Sequence, residues 1–355
     1  MVRRCTAALA ALAASLALLA CDAGAPTPYH AAVLDGTDAA ASPGPVASAT
    51  DAPRPAADPE AIGPTTSLPP NEHGRVPILE YHIVGDTAGR WARLRDDFRR
   101  DLRMLYERGY RPVTVAELVD GDLDLPAGTS PVVFTFDDSS PSQFRYIERD
   151  GVLEIDPTSA VGIWLEFTRS HRGWRNKATF CMLPGATHGH AFFGDKGIQG
   201  QQSAWRFRKL QFLAAQGFEL CNHTLWHANL AKYDDARVQE QIARGVMAID
   251  SAVPGYRVRT FALPLGVWPK NRALAKSGSW TDPRTKRVVR YDFDAILEVA
   301  GVPNPAPGTP GFDPLSLDRL QMPGTDLVKT LDALERAGRR YVSDGDRRKV
   351  TVPGR

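Results

Sequence analysis

Histidine is scarce in this chain of 355 residues, with eight in all and none after His227. Imidazole chemistry therefore has to be assembled from the first two thirds of the sequence. Cysteine is scarcer, at four residues, too few for a fold stapled mainly by disulfides. No apolar run is comfortably long enough to span a bilayer; the one candidate ends at residue 21. No internal repeat is evident, which sets aside solenoid architectures. Neither sign of charge dominates, with 43 Lys and Arg against 41 Asp and Glu. The one basic cluster, "GDRRKVTVPGR" at the C-terminus, reads as a solvated edge, so no nucleic-acid partner is indicated.

Organisation begins with the ends. Residues 1–21, "MVRRCTAALAALAASLALLAC", carry Arg3 and Arg4, then an Ala/Leu core, then Cys21. This is the pattern of an export signal. Its "LLAC" ending resembles the lipobox of bacterial lipoproteins, which implies lipidation of Cys21 and a membrane anchor. The expected location is the periplasmic or outer face of the cytoplasmic membrane, with the outer membrane as the alternative. Residues 22–72 are rich in Pro, Ala, Asp, Ser and Thr and nearly free of large apolar side chains. Such a segment cannot bury enough surface to fold and is expected to be a tether with a reach of roughly 40 Å. It carries seven acidic residues against Arg54, a net of −6. With the leader's two arginines set aside, residues 73–355 keep about +6, which suits an anionic envelope. Cys5 leaves with the leader, so Cys181 and Cys221 remain. Both sit in expected core strands; a disulfide is open to an exported protein, but buried free thiols are the favoured reading.

From residue 75 strand-like and helix-like segments alternate. "RVPILEYHIVG" is an expected strand ending near His82, and "PVVFTFDD", "KATFCMLPG", "FELCNHT" and "VRTFALPLG" are further buried strands. "LRDDFRRDLRMLYERGY" and "DDARVQEQIARGVMAIDSAV" have helical spacing. "FRYIERDGVLEID" reads as a hairpin turning at Asp150-Gly151. "RYDFDAILEVAG" and "LDRLQMPG" look like later strands before a last helix at "TDLVKTLDALERAG". Alternation of this kind predicts a parallel α/β architecture, in which polar residues at strand C-termini line the active face. Asp137, Asp138, His82, His223 and Pro264 fall at such ends.

"VVFTFDDSSPSQF" ends a greasy strand on two adjacent carboxylates, Asp137 and Asp138, whose repulsion calls for a nearby positive charge. "NHTLWH" sets His223 and His227 four residues apart after another strand. If that segment is helical, both imidazoles project from one face and, with one carboxylate, offer a divalent metal three ligands and an open position. The metal would also offset the Asp–Asp repulsion.

These residues carry a resemblance. "TFDDS" and "HTLWH" resemble the first two motifs of the polysaccharide deacetylases of carbohydrate esterase family 4, the NodB-homology group. "KATFCMLPG", "FELCNHT" and "FALPLG" are similar to supporting segments in the same order, and the likeness spans roughly residues 75–345. It implies a distorted (β/α) barrel and a hydrolase that removes acetyl groups from an acetylated polysaccharide. It implies Asp137 as general base and Asp138, His223 and His227 as ligands of Zn²⁺, with Co²⁺ or Ni²⁺ as alternatives. "ILEYHIVG" resembles the circularly permuted branch of poly-β-1,6-N-acetylglucosamine deacetylases, in which the acid His precedes the Asp pair; this points to His82 as general acid.

The chain departs from the family in three places. Ser139 stands where Gly is usual. Ala262 occupies the position of an Arg that steadies the catalytic Asp, a charge that Arg319 is a candidate to replace. The Asp-Trp motif has no convincing counterpart, with Asp292 a weak one. Pro264, Gly266 and Trp226 are further candidate supporting or substrate-contacting residues, as are Trp268, His188 and His190. The leading functional expectation is a metal-dependent deacetylase acting on N-acetyl groups. The alternatives are an O-acetyl esterase and a glycan-binding lipoprotein without turnover.

Overall fold

Eight short strands, all but Gln321 of the last fully buried, form one parallel sheet. They are β1 (Ile78–Tyr81), β2 (Tyr110–Val113), β3 (Ser130–Phe136), β4 (Thr179–Met182), β5 (Glu219–Asn222), β6 (Thr260–Ala262), β7 (Ala295–Leu297) and β8 (Leu320–Met322). Their order is β7-β6-β5-β4-β3-β1-β8, with β2 also paired to the first half of β3. All these pairings are parallel. A single parallel bridge, Leu297 to Leu317, links β7 to the residues leading into β8. The sheet is thus curled until its ends meet at one point, the distorted barrel expected from the sequence.

The computed structural model describes residues 62–185, 192–194, 197–299 and 301–347. Cys21, the leader, most of the expected tether, His188 and His190 lie outside the described residues.

Strand periodicity sorts the side chains. Leu79, Tyr81, Phe134, Phe136, Phe180, Leu220 and Phe261 project outward into the larger apolar cluster, shared with the helices. Ile78, Val133, Cys181, Cys221, Ala262 and Leu297 alternate with them and form a second cluster inside the curl. The helices are α1 (Arg95–Glu107), α2 (Val115–Asp120), α3 (Ala160–Ser170), α4 (Arg206–Ala215), α5 (Asp235–Ala252), α6 (Ala273–Lys276) and α7 (Leu327–Arg336). Local chemistry starts several of them. Thr114 and Glu117 make a reciprocal capping box for α2, and the side chains of Ser159, Asp234 and Asp326 cap α3, α5 and α7.

Four expectations need correction. The tether was expected to run to residue 72, yet chain from residue 62 onward is packed on the body. The carbonyls of Ile62 and Pro64 accept from the buried Arg111 guanidinium at 2.5 and 2.7 Å, and Asn71 bridges Val342. Composition counts apolar side chains and is blind to carbonyls that solvate a buried cation. Cys181 and Cys221 are not free thiols: register sets them directly opposite on β4 and β5, and they form a disulfide. "RYDFDAILEVAG" is two strands. Val288–Asp292 pairs with Ser277–Thr281 in a hairpin, and only Ala295–Leu297 joins the sheet. Asp292 therefore sits exposed on that hairpin, 2.6 Å from Lys276 Nζ, and is no counterpart of the Asp-Trp motif. The hairpin at Asp150-Gly151 is as expected, with Tyr146–Arg149 pairing Val152–Ile155.

Candidate active site

The Asp pair sits where β3 leaves the sheet. Asp137 keeps the strand's pairing, its N–H donating to Tyr81 O at 2.9 Å. Asp138 and Ser139 then take positive φ, 73° and 52°, in the left-handed region that L-residues avoid. Alternation would send adjacent strand side chains to opposite faces; the left-handed turn instead brings both carboxylates to one place. Asp137 Oδ2 and Asp138 Oδ1 lie 3.8 and 3.4 Å from the same atom, His223 Nε2. Ser139, at a position that favours glycine, is tied down by its own side chain, whose Oγ accepts from Leu183 N–H at 2.9 Å.

The His pair is not helical. Thr224 and His227 both have positive φ, 67° and 61°, and bracket a tight turn. Asn222 Oδ1 accepts from Thr224 N–H at 2.9 Å, and Thr224 Oγ1 accepts from His227 N–H at 3.1 Å. These side chains take the amides that a helix would have used. The outcome for the rings is still convergence, with centroids 4.9 Å apart and His227 Nε2 at 3.7 Å from Asp138 Oδ1. His223 Nδ1 donates to Ala262 O at 2.9 Å, which leaves Nε2 as the lone-pair nitrogen.

Asp138, His223 and His227 could hold a metal, each offering one ligand atom within 4.8 Å of the others. The donor set fits a dication on a specific observation. Asp138 Oδ1 and His223 Nε2 are both buried without a hydrogen-bond partner, and they face each other. Two orphaned acceptors at 3.4 Å are costly unless a positive charge sits between them. Burial by itself would raise the Asp138 carboxyl, but the His223 imidazole beside it holds it well below the usual carboxylate range. Burial, then the charge of His223, lowers His227 to about 4, so it is a neutral ligand at neutral pH.

Asp137 has a different partner. Arg319 is fully buried just before β8, and its guanidinium reaches across the inside of the curl. It grips Asp137 with two parallel bonds, Nη1 to Oδ1 at 2.8 Å and Nη2 to Oδ2 at 2.9 Å. The same guanidinium is 2.7 Å from Glu80 Oε1 on β1, and its Nε donates to Glu298 O. Burial would raise Asp137, but Arg319 and then His223 bring it down to about 2. Arg319 thus supplies the charge that Ala262, fully buried and apolar, does not. His82 completes the cluster: a ring nitrogen of His82 and carboxylate oxygens of Glu80 and Asp137 all lie within 4.8 Å of one another.

Sequence reasoning missed Glu80, although the signal was present. It lies two residues before His82 on a strand, so the period-two rule puts both on the same face. It also missed Trp91, whose half-exposed ring packs 4.8 Å from the His82 ring. The other candidates are peripheral. Pro264 and Gly266 form a tight turn after β6, and no side-chain hydrogen bond joins them to the carboxylates or imidazoles among the described residues. Trp226 and Trp268 lie under the guanidiniums of Arg237 and Arg272, at 4.8 and 3.9 Å, so each already has a cation on one face.

Residues 173–278 match the family model for polysaccharide deacetylase. The match contains His223 and His227, whereas His82, Asp137, Asp138 and Arg319 lie outside it and meet the His pair only in the fold. Among curated relatives, a chitooligosaccharide deacetylase of a Bradyrhizobium species is 29% identical over 24% of this chain and 44% of its own length. Another, of Sinorhizobium fredii, is 30% identical over 28% of this chain and 49% of its own. The chain therefore spans about half the length of the curated relatives it matches. Two solved structures align over most of the chain. A Bacillus anthracis protein described as a polysaccharide deacetylase has a TM-score of 0.51 at 17% identity, covering 73% of this chain and 68% of its own. The Streptococcus pyogenes deacetylase PplD has the same score and identity, covering 72% and 97%. At that identity the likeness speaks for the fold, and it agrees with the segment match: residues 173–278 are similar to the polysaccharide deacetylase family, on a fold shared with these structures.

Proposed function

We propose that this protein is a metal-dependent hydrolase that removes N-acetyl groups from an envelope or extracellular amino-sugar polysaccharide. One observation carries the reading: the orphaned lone pairs of Asp138 and His223 converge beside Asp137, a carboxylate that Arg319 keeps oriented and ionised. Asp138, His223 and His227 would hold the cation, zinc by preference, with cobalt or nickel as alternatives. A divalent cation in such a site supplies Lewis-acid chemistry, polarising an acyl carbonyl and acidifying water.

The protein's own groups do the rest. Asp137 takes the proton of the attacking water at Oδ2, its oxygen nearer the ligand cluster. Arg319 fixes that carboxylate at both oxygens, so the base is aligned before substrate arrives. His82 gives a proton to the departing nitrogen, which leaves poorly as an anion.

An O-acetyl esterase is a second reading with its own support. Burial lowers the His82 pKa, against the pull of Asp137 and Asp138. A proton-poor acid suits an alkoxide, which departs more easily than an amide nitrogen. We also infer that the leader directs lipidation at Cys21, so that a membrane-anchored enzyme acts on a polymer near that surface. Replacement of Cys21 by Ser should then release the protein from the membrane fraction.

The test of the main reading is acetate release from partly acetylated glucosamine oligomers by zinc- or cobalt-loaded protein. Release that a chelator abolishes and Asp137→Asn lacks is the expected result. Metal binding without acetate from β-1,4, β-1,6 or O-acetylated polymers would overturn it in favour of a glycan-binding protein.

A further inference from the structure

Glu80 is a buried carboxylate, 1% exposed, with no assigned part in the chemistry. One of its oxygens, Oε1, is taken by Arg319 at 2.7 Å. The other, Oε2, is buried without a hydrogen-bond partner, and so is His82 Nδ1. An oxygen of Glu80 and a ring nitrogen of His82 lie within 4.8 Å of each other, His82 following directly on β1 two positions after Glu80. Each residue thus carries one orphaned atom, and a neighbouring carboxylate and imidazole can join theirs by rotation of the side chains or through one water.

The trio of Glu80, His82 and Asp137 also has the donors for a second cation. Arg319 argues against one, because its guanidinium already sits in contact with both carboxylates. A dication placed among the three would face a fixed positive charge at close range.

Resting on the deacetylase reading, we propose that Glu80 is a positioning residue that couples the general base to the general acid. Through Arg319 it fixes Asp137, and its free oxygen accepts the Nδ1 proton of His82, leaving Nε2 to carry the proton given to the departing group. A carboxylate on Nδ1 sets the ring orientation and favours the imidazolium that a general acid must be. The groups facing His82 are opposed: burial, Arg319 and His223 disfavour its charged form, Asp137 and Asp138 favour it, and a Glu80 carboxylate on Nδ1 would add to the second set. Without Glu80 the balance tips toward a neutral ring, which is a poor acid for an amide nitrogen. Burial pushes Glu80 itself up to about 7, against the pull of Arg319.

The experiment compares wild type, Glu80→Gln and Glu80→Asp on two substrates, N-acetylglucosamine oligomers and 4-nitrophenyl acetate. The nitrophenolate leaves without a proton, so its release does not need the acid. Glu80→Gln should lose roughly 100-fold in kcat on the oligomer, the usual size of a general-acid contribution, and distinctly less on the aryl ester, which needs Asp137 but not the acid. Glu80→Asp should recover part of that loss. Equal loss on both substrates would mean that Glu80 merely supports the fold or Asp137, and would overturn the coupling to His82. If wild type releases no acetate from oligomers, the deacetylase reading itself fails. The Glu80–His82 contact is then judged separately by ¹⁵N NMR of histidine-labelled protein: a protonated His82 Nδ1 in wild type, lost in Glu80→Gln, supports it, and an unprotonated Nδ1 in wild type overturns it.

Discussion

Removal of the Arg319 guanidinium, as in Arg319→Met, should move the acid limb of the rate profile by more than it lowers the maximum rate. In the wild type, Asp137 has a pKa near 2 against an ordinary 3.8, so it is ionised throughout the working range. That depression corresponds to about 2 kcal/mol of stabilisation, present above the ordinary carboxylate range and lost as pH falls through about 2. Methionine fills similar space but leaves two buried carboxylates, Asp137 and Glu80, without their counter-charge. Burial then acts unopposed and raises Asp137 above its ordinary value, by as much as 3–5 units at a fully buried site. The sign of the linkage reverses: the folded variant holds a proton that the unfolded chain has lost, so its stability falls as pH rises. Thermal denaturation should therefore show a deficit of about 3–5 kcal/mol near pH 8, smaller at pH 5. In the rate profile, kcat/KM of the variant should climb at least tenfold from pH 6 to pH 8, a rise absent in wild type. A variant profile that superimposes on the wild-type profile after scaling would refute the claim that Arg319 sets the ionisation of Asp137. Adding Glu80→Gln to Arg319→Met should return part of the lost stability, because one of the two stranded charges is gone.

Other consequences can be checked independently. Asp138→Ala and His223→Ala should each abolish stoichiometric zinc binding measured by metal analysis, whereas Asp137→Asn should retain the metal and lose turnover. Gly245→Ala should destabilise the His turn, because a Cβ there would stand 2.2 Å from Asn222 Oδ1, the atom that holds Thr224 N–H. Weaker metal binding with α5 intact by circular dichroism is the expected signature, and unchanged affinity would contradict it. Cys181 and Cys221 should be unreactive to thiol reagents in unfolded, unreduced protein. Closing a loop with a sequence separation of 40 contributes about 4 kcal/mol by chain entropy, so reduction should lower the melting temperature markedly.

Much of this protein was readable before any coordinates. Alternating buried runs gave the parallel sheet, because a strand covered on both faces must be apolar throughout. Asp137, Asp138, His223 and His227 declared themselves by residue type at strand ends, since the C-terminal edge of such a sheet is where side chains escape the packing. The conditional helix at His223–His227 was the wrong backbone with the right convergence. Spacing of four suits a helix, and only the Asn222 and Thr224 hydrogen bonds choose a left-handed turn instead.

What the chain alone could not decide was distance across the curl. Arg319 is 182 residues from Asp137 in sequence, and no local pattern distinguishes it from a surface arginine. The sheet order brings β8 beside β1 and β1 beside β3, and that adjacency turns an arginine far along the chain into the clamp on Asp137. The same holds for Cys181 and Cys221, which sequence places in two strands and register places opposite each other. Residue type and period are local properties, written in a few neighbouring positions. Pairing order and register are settled by the whole core packing at once, and it is they that made Glu80, Arg319 and His82 neighbours of the Asp pair.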